Sequence, residues 1–319
     1  MDISGKIGKF NILRKLGSGG FGTVYLAEDT ASKIENESVL MALKIPHRLG
    51  AGLDKLKQEF ILQYKLNSHP NIVKLHSFDI IEGNVVMVME YIKGKDIEEL
   101  IDDNGPLNVS TALKYFKQIL SAVGFAHIHK IIHRDIRPSN ILIDSYDNVK
   151  VTDFGTSKLL GDKPFATTRI GSPPYMAPEH FNGRAVYASD IYSCGVLFYE
   201  MTSGFPPIIS ANPMEIMRKV NNGDIIPLIR KVPKIKRELN KIIMKALSPK
   251  LEDRYRSIDE LIYDIDKLEN KKDDRISEIL QIKQRIYART QRDEVACWRC
   301  KKTISVNERF CPYCGEEIL

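Results

Sequence analysis

The sequence predicts an α+β chain of two lobes, the first mainly β and the second mainly α, with a small cysteine-rich module at its end. Three observations carry this. Up to about residue 92, short runs rich in β-branched and aromatic residues alternate with Gly-rich or polar turns. From about residue 96, apolar residues recur at every third and fourth position in one segment after another. Four of the five cysteines crowd into residues 297–314.

In order, strands are expected at 10–16, 23–29 and 39–45. Between 54 and 67, Leu56, Phe60, Leu62, Tyr64 and Leu66 mix with charges in a way better suited to a helix than to alternation. After His69-Pro70 two further strands are expected, at 73–78 and 85–90. The helices of the second lobe are expected at 110–130, 187–203, 213–222, 236–247 and 258–269. Residues 270–292 are highly charged, yet Ile276, Ile279, Leu280, Ile286 and Tyr287 fall at helical spacing, so a connecting helix is expected there. No internal repeat and no low-complexity tract is visible.

Hydrophobic residues make up 43% and charged residues 28%, so a sizeable core is expected and a disordered or collagen-like chain is excluded. The formal charge of +6 is spread along the sequence with only short basic runs such as 234–237, which disfavours nucleic acid as the main partner. The first residues lack the apolar run of a secretory signal, and no stretch approaches the ~20 apolar residues of a membrane span. A soluble, cytoplasmic protein is expected. Cys194 stands alone, and a disulfide scaffold would not leave most of the chain unstapled while placing every pair at the tail.

Three motifs carry chemistry. The first is Gly17-Ser18-Gly19-Gly20-Phe21-Gly22. Its spacing alone is weak, because dinucleotide-binding proteins use it too. There the glycines open a helix, whereas Thr23 to Ala27 is a strand pattern, so a hairpin whose amides can lie over phosphates is expected. The second is Lys44, ending the apolar run Met41-Ala42-Leu43. Alone it reads as a surface charge at a strand edge; behind a Gly-rich hairpin it suits a phosphate-holding cation whose natural ion-pair partner is Glu59. An exposed helical role for Glu59 stays open, since Glu37 and Asp54 are also near in sequence. The third is His133-Arg134-Asp135-Ile136-Arg137-Pro138-Ser139-Asn140, followed by Asp153-Phe154-Gly155. Phosphoryl transfer to a hydroxyl needs a carboxylate to orient it and accept its proton, and oxygen ligands to hold Mg²⁺. Asp135 suits the first role; Asn140 and Asp153 suit the second.

With these motifs in this order, the sequence resembles the protein kinase superfamily over roughly residues 8–270. The resemblance continues through Gly171 to Glu179, Asp190 to Gly195, and Arg254, which is similar to the arginine that pairs with Glu179. It implies a bilobal kinase fold, with one lobe at about 8–92 and the other at about 93–270; beyond it, a charged helical linker is expected at 271–294 and a cysteine-bearing module at 295–319. It implies Met89 as gatekeeper, Glu90 to Ile92 as the hinge holding adenine, Asp96 as a ribose contact, and Leu16, Val24, Ala42 and Leu142 as the apolar sandwich around the purine. ATP with Mg²⁺, or Mn²⁺, is the implied cofactor, and proteins with Ser or Thr acceptors are the implied substrates.

Pro138 and Gly171-Ser172-Pro173 resemble serine/threonine kinases rather than tyrosine kinases. Arg137 departs from that pattern, which usually has Lys there; it keeps the charge, but its planar fork is not sterically equivalent to an ammonium. Arg134 beside Asp135 suggests regulation by a phosphate on the following segment, with Thr168 the better-placed acceptor and Thr167 the other, and hence autophosphorylation. Ordinary loop threonines are the alternative. A catalytically silent, scaffold-like kinase is the rival within the fold, against which stand Lys44, Asp135 and Asp153.

Cys297-Trp298-Arg299-Cys300 and Cys311-Pro312-Tyr313-Cys314 are two C-x-x-C pairs separated by ten residues. Four thiolates on two facing turns complete a tetrahedral site for one structural Zn²⁺, and the tail resembles a zinc ribbon. The spacer is shorter than the roughly 15–20 residues common in such sites, so a compact hairpin is implied. A redox pair, two disulfides, or iron in the same geometry are the alternatives. A protein partner, or docking on the rest of the chain, is the expected use of this tail, with a nucleic-acid-associated regulator as the competing reading.

Overall fold

A computed structural model of the chain describes residues 5–19, 22–34, 37–47, 53–154, 158–159 and 172–269, and near the C-terminus 294–296, 299–301, 303–305, 314 and 317. The Gly-rich and β-rich runs of the first lobe form β1 (Lys6–Ile7), β2 (Phe10–Gly19), β3 (Gly22–Ile34) and β4 (Glu37–Ile45). One helix, α1 (Leu53–Tyr64), precedes β5 (Leu75–Ile81) and β6 (Asn84–Glu90). All six strands join one antiparallel sheet in the order β1-β2-β3-β4-β6-β5.

The period of two along a strand sorts the side chains into two jobs. Tyr25, Ala27, Leu43, Ile45, Val86 and Val88 pack with Phe10 into a core on one side. Val24, Ala42 and Met89, on alternate positions, gather on the other with Val73 and Leu75. Lys44 shares that second face, so strand geometry alone aims it where Val24 and Ala42 point. β6 lies between two neighbours, and Val85 to Met89 is buried throughout.

Two elements depart from the expected bounds, for visible reasons. The first helix stops at Tyr64, and the Asn67 amide bonds both backbone groups of Leu75, at 2.7 and 2.9 Å, which pins the turn. The strand expected from 73 begins at Leu75, because the N–H of Val73 bonds the Val151 carbonyl at 2.9 Å instead of entering the ladder.

Crossing to the second lobe, β7 (Gly94–Asp96) leads directly into α2 (Ile97–Asn104), then α3 (Val109–Ile128), β8 (Ile131–Ile132), β9 (Ile141–Asp144) and β10 (Val149–Val151). β7, β9 and β10 form a small sheet in the order β10-β9-β7. Gly94 is required there, since a Cβ on it would sit 1.8 Å from the Ile143 carbonyl oxygen. β11 (Lys158–Leu159) pairs with β8. After α4 (Pro178–Phe181), α5 (Tyr187–Ser203) is buried on nearly all sides, as expected of a central helix that is apolar around its circumference. α3 packs against it, with the Phe116 and Phe198 rings 4.9 Å apart. α6 (Pro213–Asn222), α7 (Leu228–Lys231) and α8 (Arg237–Ala246) follow, and residues 258–269 are helical.

The chain divides into two compact units, Met1–Asp264 and Ile265–Leu319. In the second, β12 (Glu294–Ala296) and β13 (Thr303–Ser305) pair antiparallel with Val295 opposite Ile304. Cys300 lies on the turn between them and Cys314 on a later turn; Cys297, Cys311 and the linker helix expected at 270–292 lie outside the described residues. Among the described residues no helix is long and apolar enough to cross a membrane.

Candidate active site

Between the two lobes lies a cleft of about 880 Å³. Its roof comes from the even-numbered face of β3 and β4, and its floor from β9. Leu16, Val24, Ala42, Met89, Ile92 and Leu142 meet in one apolar cluster, a slot lined from both lobes. Beyond β6, residues 91–93 leave the ladder, and Glu90 turns its carboxylate outward to accept the Lys74 N–H at 2.8 Å and the Lys150 ammonium at 2.9 Å.

The glycine hairpin covers one end of this slot. Ser18 and Thr23 face each other across it at 3.0 Å, and Thr23 also bonds His47 at 2.8 Å. Gly22 is forced, because a Cβ would lie 2.6 Å from the Ile45 carbonyl oxygen. Gly17 and Gly19 are different: a Cβ on either would meet nothing within 4 Å, so their backbone borders open space on the cleft side. Gly20 and Phe21, at the tip, lie outside the described residues.

Lys44 is 9% exposed and donates to Asp153 Oδ1 at 2.7 Å, across 109 residues of sequence. Glu59 is on α1, but its side chain lies outside the described residues. Asp153 has φ 61° and Arg134 has φ 70°, both in the left-handed region that non-glycine residues rarely enter, at a cost of about 1–3 kcal/mol each. The surrounding bonds show what holds that loop in place. Fully buried Asp190, near the start of α5, accepts the N–H groups of His133 and Arg134 at 2.9 Å each, and His127 at 2.8 Å. Burial alone would raise the Asp190 pKa, but the His127 hydrogen bond and the charges and donors around it bring it below the usual carboxylate value. The Arg134 guanidinium is buried, which lowers its pKa, while Asp190 acts in the opposite direction.

With the loop fixed, Asp135 is held at both oxygens. Asn140 donates to its carbonyl at 2.7 Å and toward Oδ2 at 3.3 Å. Ser172 donates to Oδ1 through both its hydroxyl, at 2.9 Å, and its N–H, at 3.1 Å. Arg137 reaches the same hydroxyl at 3.3 Å. Committing the Asn140 nitrogen leaves its amide oxygen as the atom able to ligate a cation, beside the carboxylate of Asp153. Two hard oxygen donors of this kind, next to a lysine and an open glycine cradle, fit a magnesium nucleotide.

The structure thus brings Leu16, Gly17, Ser18, Gly19, Gly22, Val24, Ala42, Lys44, Met89, Glu90, Ile92, Asp96, Asp135, Arg137, Asn140, Leu142 and Asp153 to one cleft. Asp96 arrives with a second duty. It caps α2 by accepting the Glu99 N–H at 2.8 Å, while Glu99 reaches back to its N–H, and burial raises its pKa. That D-x-x-E box, together with Ile97, Leu100 and Ile101 at helical spacing, is the sequence signal that would have revealed α2. Ser172, which bonds Asp135, and Asp190, which holds the loop at 133–134, were placed by motif reading only inside longer matches. Thr167 and Thr168 lie outside the described residues. Among the described residues no group of three or more His, Cys, Asp or Glu is arranged to hold a metal.

A β lobe and an α lobe meeting over an apolar slot, with lysine, asparagine and carboxylates at its inner end, is the architecture of a nucleotide-dependent phosphotransferase. The protein kinase domain family matches residues 10–265, and the chain belongs to it. The chain is 35% identical over 257 residues to "CBL-interacting protein kinase 15" of Oryza sativa subsp. japonica, covering 78% of this chain and 58% of that protein. It is 33% identical over 268 residues to "Serine/threonine-protein kinase PrkC" of Bacillus subtilis, covering 81% and 40%. With "CBL-interacting serine/threonine-protein kinase 16" of Arabidopsis thaliana it shares 36% identity over 227 residues, covering 66% and 48%. The match therefore spans between 40% and 58% of the length of these relatives.

Proposed function

We propose that this chain is an ATP-dependent protein kinase that phosphorylates Ser and Thr hydroxyls of proteins. One observation carries the reading: Asp135 is fixed at both oxygens, in the same cleft as the Lys44–Asp153 pair and Asn140. The names of the relatives, two of them serine/threonine kinases, support the acceptor class.

In this reading Leu16, Val24, Ala42 and Leu142 enclose the purine, Glu90 to Ile92 supply backbone groups to its edge, and Asp96 meets the ribose. Lys44 holds the inner phosphates, and Asn140 and Asp153 hold Mg²⁺ or Mn²⁺. ATP with its metal supplies the activated phosphoryl group and neutralises its charge. Asp135 orients the acceptor hydroxyl and takes its proton. Arg137 sets a positive charge where negative charge develops.

Two regulatory and structural parts extend the proposal. Thr168, with Thr167, is the proposed autophosphorylation site, and its phosphate would pair with Arg134. Cys297, Cys300, Cys311 and Cys314 are proposed to hold one structural Zn²⁺, supported by the two C-x-x-C spacings and by the short β12–β13 hairpin, between whose strands the first pair falls in sequence. The tail so formed would bind a protein partner. The cysteine clustering also supports a cytoplasmic, reducing setting.

Incorporation of labelled phosphate from ATP and Mg²⁺, with wild type beside Asp135→Asn, tests the enzyme, and mass spectrometry of the product identifies the acceptor. Phosphoserine or phosphothreonine that vanishes in the variant is expected; no incorporation by a wild type that binds ATP would favour a scaffold. Mapping after Thr168→Ala tests the regulatory site. Metal analysis of the purified chain tests the tail, where one zinc per chain is expected and none would exclude it.

A further inference from the structure

The arginine at position 137 has a partner that motif matching did not anticipate. Its Nη2 lies 3.3 and 3.4 Å from the two carboxylate oxygens of Glu98, and its Nη1 lies 3.3 Å from the Ser172 hydroxyl. Its buried Nε has no hydrogen-bond partner among the described residues. Glu98 is the second residue of α2, immediately after the capped turn at Asp96, so the cap fixes where its carboxylate stands. Both side chains line the cleft beside Asp135 and remain partly open to solvent, at 31% for Arg137 and 46% for Glu98.

A guanidinium differs from an ammonium in one way that matters here. Left to itself it takes an anion with two parallel N–H groups, whereas a lysine offers a compact point charge. In this cleft one edge of the fork is committed to Glu98, and only the other faces Ser172 and, through it, the Asp135 carboxylate. A second carboxylate nearby, Glu200, is a poor competitor for the role. It is largely buried, bonded by the Tyr175 hydroxyl, and burial pushes its pKa up to about 7, so near neutral pH it carries only part of a charge.

We propose that Glu98 is a positioning residue for phosphoryl transfer: by occupying one edge of Arg137 it makes the arginine act as a single-pronged cation at the acceptor end of the cleft. The proposal rests on the kinase reading above. It couples α2, which is capped by the ribose-side residue Asp96, to the catalytic loop, so that occupancy of the nucleotide slot and orientation of Arg137 are linked through one helix turn. Removing the Glu98 charge leaves Arg137 able to grip the terminal phosphate with both prongs. Ground-state binding then tightens while the transition state loses its aligned charge, which is the pattern expected when binding is shifted from transition state to ground state.

The test is a double-mutant cycle on the full chain with Glu98→Gln, Arg137→Lys and the pair. MgATP affinity is read by calorimetry, phosphoryl transfer by kcat, and thermal unfolding serves as a folding control. Glu98→Gln is expected to tighten MgATP about threefold and lower kcat roughly tenfold. In the Arg137→Lys background the same change should move each by less than about twofold. Weakening of both quantities in Glu98→Gln, or equal effects in the two backgrounds, would overturn the proposal in favour of a general structural role. A wild type that binds MgATP but transfers nothing would count against the kinase reading instead, and the affinity arm of the cycle would still decide whether Glu98 restrains Arg137.

Discussion

Arg254 and Glu179, 75 residues apart in sequence, form a two-pronged ion pair at 2.8 and 2.9 Å inside the α lobe. Arg254 is fully buried, and its remaining N–H groups go to the carbonyls of Ser248, Pro249 and Ala188. Glu179 also accepts the Ser189 hydroxyl at 2.5 Å. Removing one partner strands the other charge without water, which typically costs about 3–5 kcal/mol. Arg254→Ala should therefore lower stability by about that amount in urea denaturation. A loss below about 1 kcal/mol would mean that water reaches the pair, since exposed pairs are worth no more.

The glycine hairpin gives a second prediction through two substitutions that differ only in position. At Gly22 an added methyl runs into the Ile45 carbonyl, while at Gly17 it meets open space. Gly22→Ala should destabilise the β lobe by about 1–3 kcal/mol, as overpacking against backbone does. Gly17→Ala should leave the unfolding midpoint unchanged and raise the KM for ATP, because the methyl would stand where phosphates approach the backbone. If Gly17→Ala left KM unchanged, the hairpin would not be a phosphate cradle.

Ser172 yields the third. Its hydroxyl and N–H both bind Asp135 Oδ1, so it fixes the carboxylate proposed to orient the acceptor. Ser172→Ala keeps the N–H and loses the hydroxyl, and a drop in kcat of roughly tenfold is expected with little change in the KM for ATP. Ser172→Thr keeps the hydroxyl and should retain most of the activity. Steady-state kinetics on a peptide acceptor reads both, and equal losses in the two variants would point to packing rather than the hydrogen bond.

How far the sequence foretold this site depends on the kind of signal each residue gives. Lys44 was legible as a cation ending an apolar strand behind a Gly-rich hairpin, whereas Val24 and Ala42 were named only through the family resemblance; the period of two along the strands is what places all three on one face. Asp135, Asn140 and Asp153 were legible as a spaced set. What could not be read were pairings across the chain. Nothing local to Asp190 says that it will accept two N–H groups from the loop beginning at His133, and nothing local to Glu98 points to Arg137. α2 was missed for a different reason: Ile97, Leu100 and Ile101 do fall at helical spacing, but over only eight residues that run is too short to stand out from the strands before it, and the helix is held by the Asp96 cap and the burial of Ile97.

The last prediction concerns pH. Burial pushes the Glu200 pKa from 4.5 to about 7, with the Tyr175 hydrogen bond acting the other way, so the folded chain holds this proton over a range in which the unfolded chain has released it. Stability from this group is fully present below the unfolded value and falls as pH rises toward about 7, becoming constant above that. The change is on the order of 3 kcal/mol, since each tenfold difference in proton affinity between the folded and unfolded chain is worth about 1.4 kcal/mol. Glu200→Gln removes the titration, so the difference in denaturation free energy between wild type and variant isolates it from Asp190, whose lowered pKa acts at more acidic pH and in the opposite sense. Wild type should lose stability relative to Glu200→Gln between pH 5 and pH 8, with most of the loss between pH 5 and pH 7. A difference independent of pH would show that the carboxyl is solvated rather than buried against Tyr175.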